Sequence, residues 1–254
     1  MGREVAEAQD KPAAEEWMAN SEGFVLAYSD RLEEARKMSG RAEKFARGTD
    51  QKETVALYKT EAAAREALFG NVAAASQEAL WALRFSRSRD VEYGAAFALA
   101  LSGESPQNKS IAEELSVRFP EDTKVRFAYM PTLRALLAFN HNNPSKAIEL
   151  LDPTIPYENG VRSTSSELLI GAGTLHPAYV RGLAYLAKHQ GREAAREFQK
   201  ILDHPGIVLS EPIDAIARLQ LAHAWHLAGS SPPSYCASIT SDLLDWRYPG
   251  RCTH

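Results

Sequence analysis

Helix, polar break, helix, with small and aromatic residues at set intervals, is the pattern that most limits what this chain can become. It is plainest in "YVRGLAYLAKHQGREAAREFQKIL", residues 179–202. Gly182 and Tyr185 lie one helical step apart, and Ala194 and Phe198 form a second step after the break. Small residues let two helices approach closely, and aromatics fill the space beside them. The arrangement returns with drift along the chain. It is seen around Gly23, Leu26, Asp30, Ala35 and Ala42, and again around Ala63, Gly70-Asn71, Ala75, Ala79 and Ala82. Ala96, Gly103, Ala112 and Leu115 repeat it, followed by Pro120. Ala135, Ala138, the break "NHNN", Ala147 and Leu151 form another copy. Leu221, Ala222 and Trp225 open a last one.

Six units result, with equivalent second-helix positions at 35, 75, 108, 147, 194 and 234. The spacings are 40, 33, 39, 47 and 40 residues, near or above the about 34 of a tetratricopeptide repeat. Apolar residues follow helical spacing, and runs such as "EAAAREAL" are rich in strong helix formers. The one strand candidate is the short "GIVLS" at 206–210. The expected fold is all-α, a right-handed α-solenoid of about six helix hairpins. The competing reading is a generic helical bundle with coincidental alanine spacing.

At this level the chain resembles tetratricopeptide repeat proteins. It is similar in particular to the repeat region beside serine/threonine kinase or winged-helix modules in acidobacterial proteins. The stretches that carry the resemblance are "DQKETVALYKTEAAAREALFGN", "DVEYGAAFALALSG", "RFPEDT", "YMPTLRALLAFN", "YVRGLAYLA" and "EFQKILDHPGIV". The resemblance stops at Gly229. Beyond it Pro232 and Pro233 interrupt the expected second helix, and the two cysteines, Cys236 and Cys252, both fall in this tail. The expected organisation is a frayed N-terminus at 1–14, a repeat domain at 15–229 and an atypical tail at 230–254.

The resemblance implies a non-catalytic scaffold that grips a peptide or protein segment in a concave groove lined by the first helices. It also implies a regulatory or sensory place in a signalling protein. Mapped unit by unit, the implied groove residues are Tyr93, Phe97, Tyr129, Thr132, Leu136, Phe139, His176, Tyr179, Leu183, His223 and His226. Aromatics at such a surface suit a peptide. The other reading of the same residues is packing between adjacent units. Two further functional readings stand beside the scaffold: the C-terminal part of a kinase chain, and an all-α enzyme with an unrecognised site.

Catalytic chemistry finds little support in the residues. The glycine-rich loop, strand lysine, H-R-D and D-F-G motifs of a kinase do not occur. "IGAGTLH" (170–176) places His176 where a third glycine belongs, so no phosphate loop and no cofactor are expected. His223 and His226 stand i, i+3 without a neighbouring carboxylate, and no metal is expected there. The Glu pairs at 15–16, 33–34 and 113–114 read as solvated faces. Net charge is −4, from 29 basic and 33 acidic residues, too balanced for direct nucleic-acid binding by counterion release. "AAFALAL" (95–101) is far shorter than a membrane span. The first twenty residues hold no apolar run of the kind a signal peptide needs. A cytoplasmic location follows, or an extracytoplasmic one if the chain was excised from a membrane-anchored kinase.

Overall fold

In the computed structural model, residues 12–103, 105–160, 175–208 and 211–229 are described. Among them the chain is all-α, with twelve α-helices and no strand. The helices are α1 (Pro12–Tyr28), α2 (Leu32–Gly48), α3 (Lys52–Leu68), α4 (Val72–Phe85), α5 (Arg89–Leu101) and α6 (Ser105–Arg118). They continue with α7 (Met130–Asn140), α8 (Pro144–Leu151), α9 (His176–Ala187), α10 (Gly191–Leu202), α11 (Pro205–Val208) and α12 (Pro212–Leu227). A π-helical turn, Val125–Tyr129, leads into α7, and a 3₁₀ helix, Asp152–Tyr157, follows α8. The short strand candidate "GIVLS" is helical over its described part, Gly206 to Val208, within α11, where Pro205 starts a helical turn with its ring at the first position. The helical hydrogen bonds begin at Pro12, three residues before the expected domain start. The tail with Cys236 and Cys252 lies outside the described residues, as do residues 161–174 with Gly171 and Gly173.

The polar breaks are built alike. Asp30, Asp50, Gly70, Asn142 and His189 all adopt positive φ, between 55° and 78°. Each is followed by a residue whose N–H reaches back five positions: Arg31 to Leu26, Gln51 to Ala46, Asn71 to Glu66, Asn143 to Ala138 and Gln190 to Tyr185, at 2.8–3.0 Å. This left-handed cap satisfies carbonyls that a helix end leaves open and turns the chain sharply. Only short polar residues and glycine enter that conformation readily, which is why the breaks read Asp, Gly, Asn or His.

Successive helices pack as pairs: α1 on α2, α3 on α4, α5 on α6, α7 on α8 and α9 on α10. First helices also pack on first helices, α3 on α5, α5 on α7 and α7 on α9. The small residues sit at these contacts. Ala35, Ala75, Ala147 and Ala194 are each wholly buried. A Cβ added to Gly182 would lie 2.6 Å from the buried Phe198 ring, which accounts for the spacing in residues 179–202. A Cβ on Gly191 would meet the Ala224 carbonyl oxygen at 2.5 Å, so α10 rests directly on the backbone of α12.

The last helix turns back to the first. α12 packs on α9 and α10 and also touches α1 and α3. Tyr28 donates to Asp214 at 3.0 Å across 186 positions of sequence, and Arg218 donates to the same carboxylate at 3.0 Å. The run of first helices is therefore closed on itself. α5, packed on α3, α4, α6 and α7, is buried nearly all round, and every residue from Val91 to Leu101 is buried.

Burial extends to groups expected in solvent. Glu16 is buried and accepts from Tyr58 at 2.9 Å, whereas its neighbours in the expected acidic faces, Glu33 and Glu34, remain exposed. Asn108 stands where other second helices carry alanine; it is wholly buried, and neither its amide oxygen nor its nitrogen has a partner. An unsatisfied buried amide is destabilising. Asn108→Ala is expected to raise the thermal midpoint by roughly 2–4 °C. Gly191→Ala is expected to lower stability by about 2 kcal/mol, because backbone rather than a side chain must move. Calorimetry on the two variants checks both signs.

Candidate functional site

The residues expected to line an open trough are brought together, but as core. Tyr93, Phe97, Tyr129, Thr132, Leu136, Phe139, His176, Tyr179 and Leu183 are all buried. Tyr93 stacks on Tyr129 with centroids 3.7 Å apart, and Phe97 stacks on His176 at 4.0 Å. The Tyr93 hydroxyl lies 3.0 Å from His176 Nδ1 and the Tyr129 hydroxyl donates to Asp90 at 2.7 Å. These aromatics on α5, at the start of α7 and on α9 fill the space between successive first helices and leave no room for a peptide. His223 is half-buried and His226 is exposed, both on α12. The groove expectation is thus corrected for nine of its eleven residues. The cause is the packing of first helix on first helix, α5 on α7 and α7 on α9, which stacks these rings against one another.

Burial also decides the chemistry of this cluster. Desolvation lowers the pKa of His176 to about 3, so the ring is neutral. Desolvation raises the Tyr93 and Tyr129 hydroxyls, and Asp90 adds to the effect at Tyr129. The neutral ring shares one hydrogen bond with the Tyr93 hydroxyl, whose direction follows the imidazole tautomer. None of these groups is poised to exchange protons near neutrality.

A different site lies between α2, α3 and α4. A cleft of about 250 Å³ opens there, lined by Arg36, Ser39, Tyr58, Lys59, Arg65 and Glu78, with Glu43 and Glu66 at its walls. Arg36 holds Glu66 through two nitrogens, at 2.9 and 2.6 Å. Lys59 bridges Glu43 at 2.9 Å and Glu78 at 2.7 Å. Arg65, 4% exposed, donates through Nη1 to Ser39 Oγ at 2.9 Å. Desolvation pushes its pKa down from the usual guanidinium range.

At the rim of this cleft stands Trp81, 39% exposed, one turn beyond Glu78 on α4. Lys59 and Arg84 lie 5.6 Å from its ring, and Arg47 lies 6.0 Å away and 4.8 Å over Phe85. Leu80 beside it is also exposed. An indole ringed by cations and backed by rigid helices is the composition of an interaction hot spot. Sequence reasoning missed this site. Lys59, Glu61, Arg65 and Glu66 form no motif that sets them apart from other charged residues in the sequence. Only the second neighbouring pair buries them.

A second buried charge cluster secures the 3₁₀ segment. Arg181 holds Glu158 through two nitrogens, at 2.8 and 3.1 Å, and holds Glu197 at 2.6 Å. Burial works against the Glu158 carboxylate, but Arg181, Lys200 and the Thr154 hydroxyl together keep its pKa below the usual range. Each of its partners belongs to a different stretch of chain, so the cluster reads as a structural clamp.

No protein family, curated protein or solved structure matches this chain. The functional reading therefore stands on geometry and on the sequence resemblance.

His176 has a measurable consequence. Its folded pKa of about 3 lies below its ordinary value of 6.5, so the unfolded chain binds the proton more readily. The stabilisation is complete above the unfolded pKa and is lost as pH falls toward the folded one. Stability is expected to drop by about 2 kcal/mol between about pH 6.5 and pH 5 from this residue alone. Urea unfolding of the wild type and His176→Gln at the two pH values checks it, since the glutamine variant should lose that share of the slope.

Proposed function

We propose that the chain is a non-catalytic scaffold of tetratricopeptide-like hairpins that holds a segment of another protein. Six hairpins stacked as a right-handed solenoid is the architecture in this reading; residues 230–254, expected as an atypical tail, lie outside the described residues. The repeated left-handed caps, the pairwise packing and the buried alanines at equivalent positions support it. The resemblance to repeat regions beside kinase or winged-helix modules supports a regulatory role in signalling, and nothing beyond that resemblance does.

The observation that carries the binding surface is Trp81. It is a large aromatic left partly exposed on a rigid helix, with Arg47, Lys59 and Arg84 around its ring. A segment that presents an apolar anchor flanked by carboxylates complements it: the anchor covers the indole and Leu80, and the acids meet the guanidinium groups. The surface lies on the outer side of the second pair rather than in the trough between first helices.

Trp81→Ala removes the anchor while leaving the core in place. Binding of a captured partner is expected to weaken at least tenfold, with the thermal midpoint within a few degrees of wild type. Arg84→Glu is expected to weaken it further at low salt and less at high salt. Tyr93→Ala, by contrast, is expected to lower stability by about 3–5 kcal/mol, because it empties a core position. Quantitative affinity capture followed by titration with the purified partner checks the pair. Undiminished affinity in Trp81→Ala would refute the surface.

A further inference from the structure

The cleft beneath Trp81 has a property that a protein-docking ledge does not need. Three cations and three carboxylates line it, but they are not evenly matched. Arg36 has Glu66, and Lys59 has Glu43 and Glu78. Arg65 has no carboxylate at bonding distance: its bond is to the neutral Ser39 hydroxyl, its Nε–H has no acceptor, and Glu66, Glu61 and Glu78 act on it only from farther off. Its side chain is nevertheless buried. A buried guanidinium is ordinarily bonded directly to a carboxylate, and desolvation outweighs the distant carboxylates here, since the Arg65 pKa is pushed down. The Arg65 side chain is one of those that line the cleft.

We propose that this cleft is a binding site for a small carboxylate, whose oxygens accept from the Arg65 guanidinium. A guanidinium presents parallel N–H groups that match a carboxylate in geometry as well as charge. Ser39 accepts from Arg65 and has its own O–H to donate to the second oxygen. The volume, about 250 Å³, admits a molecule of metabolite size and not a folded segment. Tyr58, Ala62 and Ala74 supply the apolar part of the wall. The charge of the ligand is limited by the same lining. Glu43, Glu66 and Glu78 each add a negative charge near the entering group, so a monoanion is favoured over a dianion such as hydrogen phosphate. The site is independent of the Trp81 surface and stands or falls separately from it.

The test uses the full chain with ¹⁵N-labelled arginine. Sodium propionate and sodium phosphate are titrated against sodium chloride at matched ionic strength. The Nε–H resonance of Arg65 is expected to move saturably with propionate and less with phosphate. The thermal midpoint is expected to rise by roughly 2–6 °C at saturation, and that rise is expected to vanish in Arg65→Gln. Should Arg65→Gln not fold, the wild-type resonance titration decides alone. No saturable movement with either anion would overturn the site, leaving a cleft filled by water. A propionate response retained in Arg65→Gln would overturn the role of Arg65, and tighter binding of phosphate would overturn the monoanion assignment.

Discussion

Each pair of helices is held at the separation that a methyl group or a hydrogen atom allows. Gly182 faces the Phe198 ring so closely that no side chain fits between them. Ala35, Ala75, Ala147 and Ala194 bury their methyl groups completely in the corresponding pairs. Gly191 goes further and lets α10 touch the backbone of α12. This approach depends on turns tight enough to bring one helix straight back along the last, and the left-handed caps at Asp30, Gly70, Asn142 and His189 provide them. Everything longer in range follows from pairs of this thickness stacking against one another.

Stacking has an electrostatic consequence. Helices between two neighbouring pairs lose their solvent face, so polar residues that would have faced water must find partners inside. Arg181 and Glu158 do so with nearly ideal geometry. Glu16 finds Tyr58, and Asn20 donates to Glu61 at 2.9 Å. Arg65 departs from that rule in having a cleft beside it. Asn108 departs from it in a tight core, where the same deficit can only weaken the fold. Identical deficits thus carry opposite meanings according to whether space adjoins them.

α12 packs on α1 and α3, and the proposed binding surface lies away from these contacts. The aromatics of the first helices stack on one another, and the hollow that an open array would use is filled. What remains outward is the second-helix side, where Trp81 and its cations stand beside the polar cleft. In this reading the scaffold binds by its outer flank, and its interior serves rigidity.

The helical character and the breaks around Asp30, Gly70, Gly103, Asn142 and His189 were legible in the sequence, because helical periodicity and the demand for positive φ act over a few residues; the cap at Asp50 was not. Gly182 with Phe198 and the alanine positions were legible for the same reason: size complementarity within one hairpin is a local rule. The sequence alone also determined that the described chain is helical throughout, through its helix formers and the lack of alternation. Whether Tyr93, Tyr129 and His176 would face a groove or one another was decided only in three dimensions. That depends on which helices, distant in sequence, are brought together, as when residues 186 positions apart meet at Tyr28 and Asp214. The isolation of Arg65 was likewise a tertiary outcome, since a guanidinium is paired or not according to which neighbouring helices bring their carboxylates within reach.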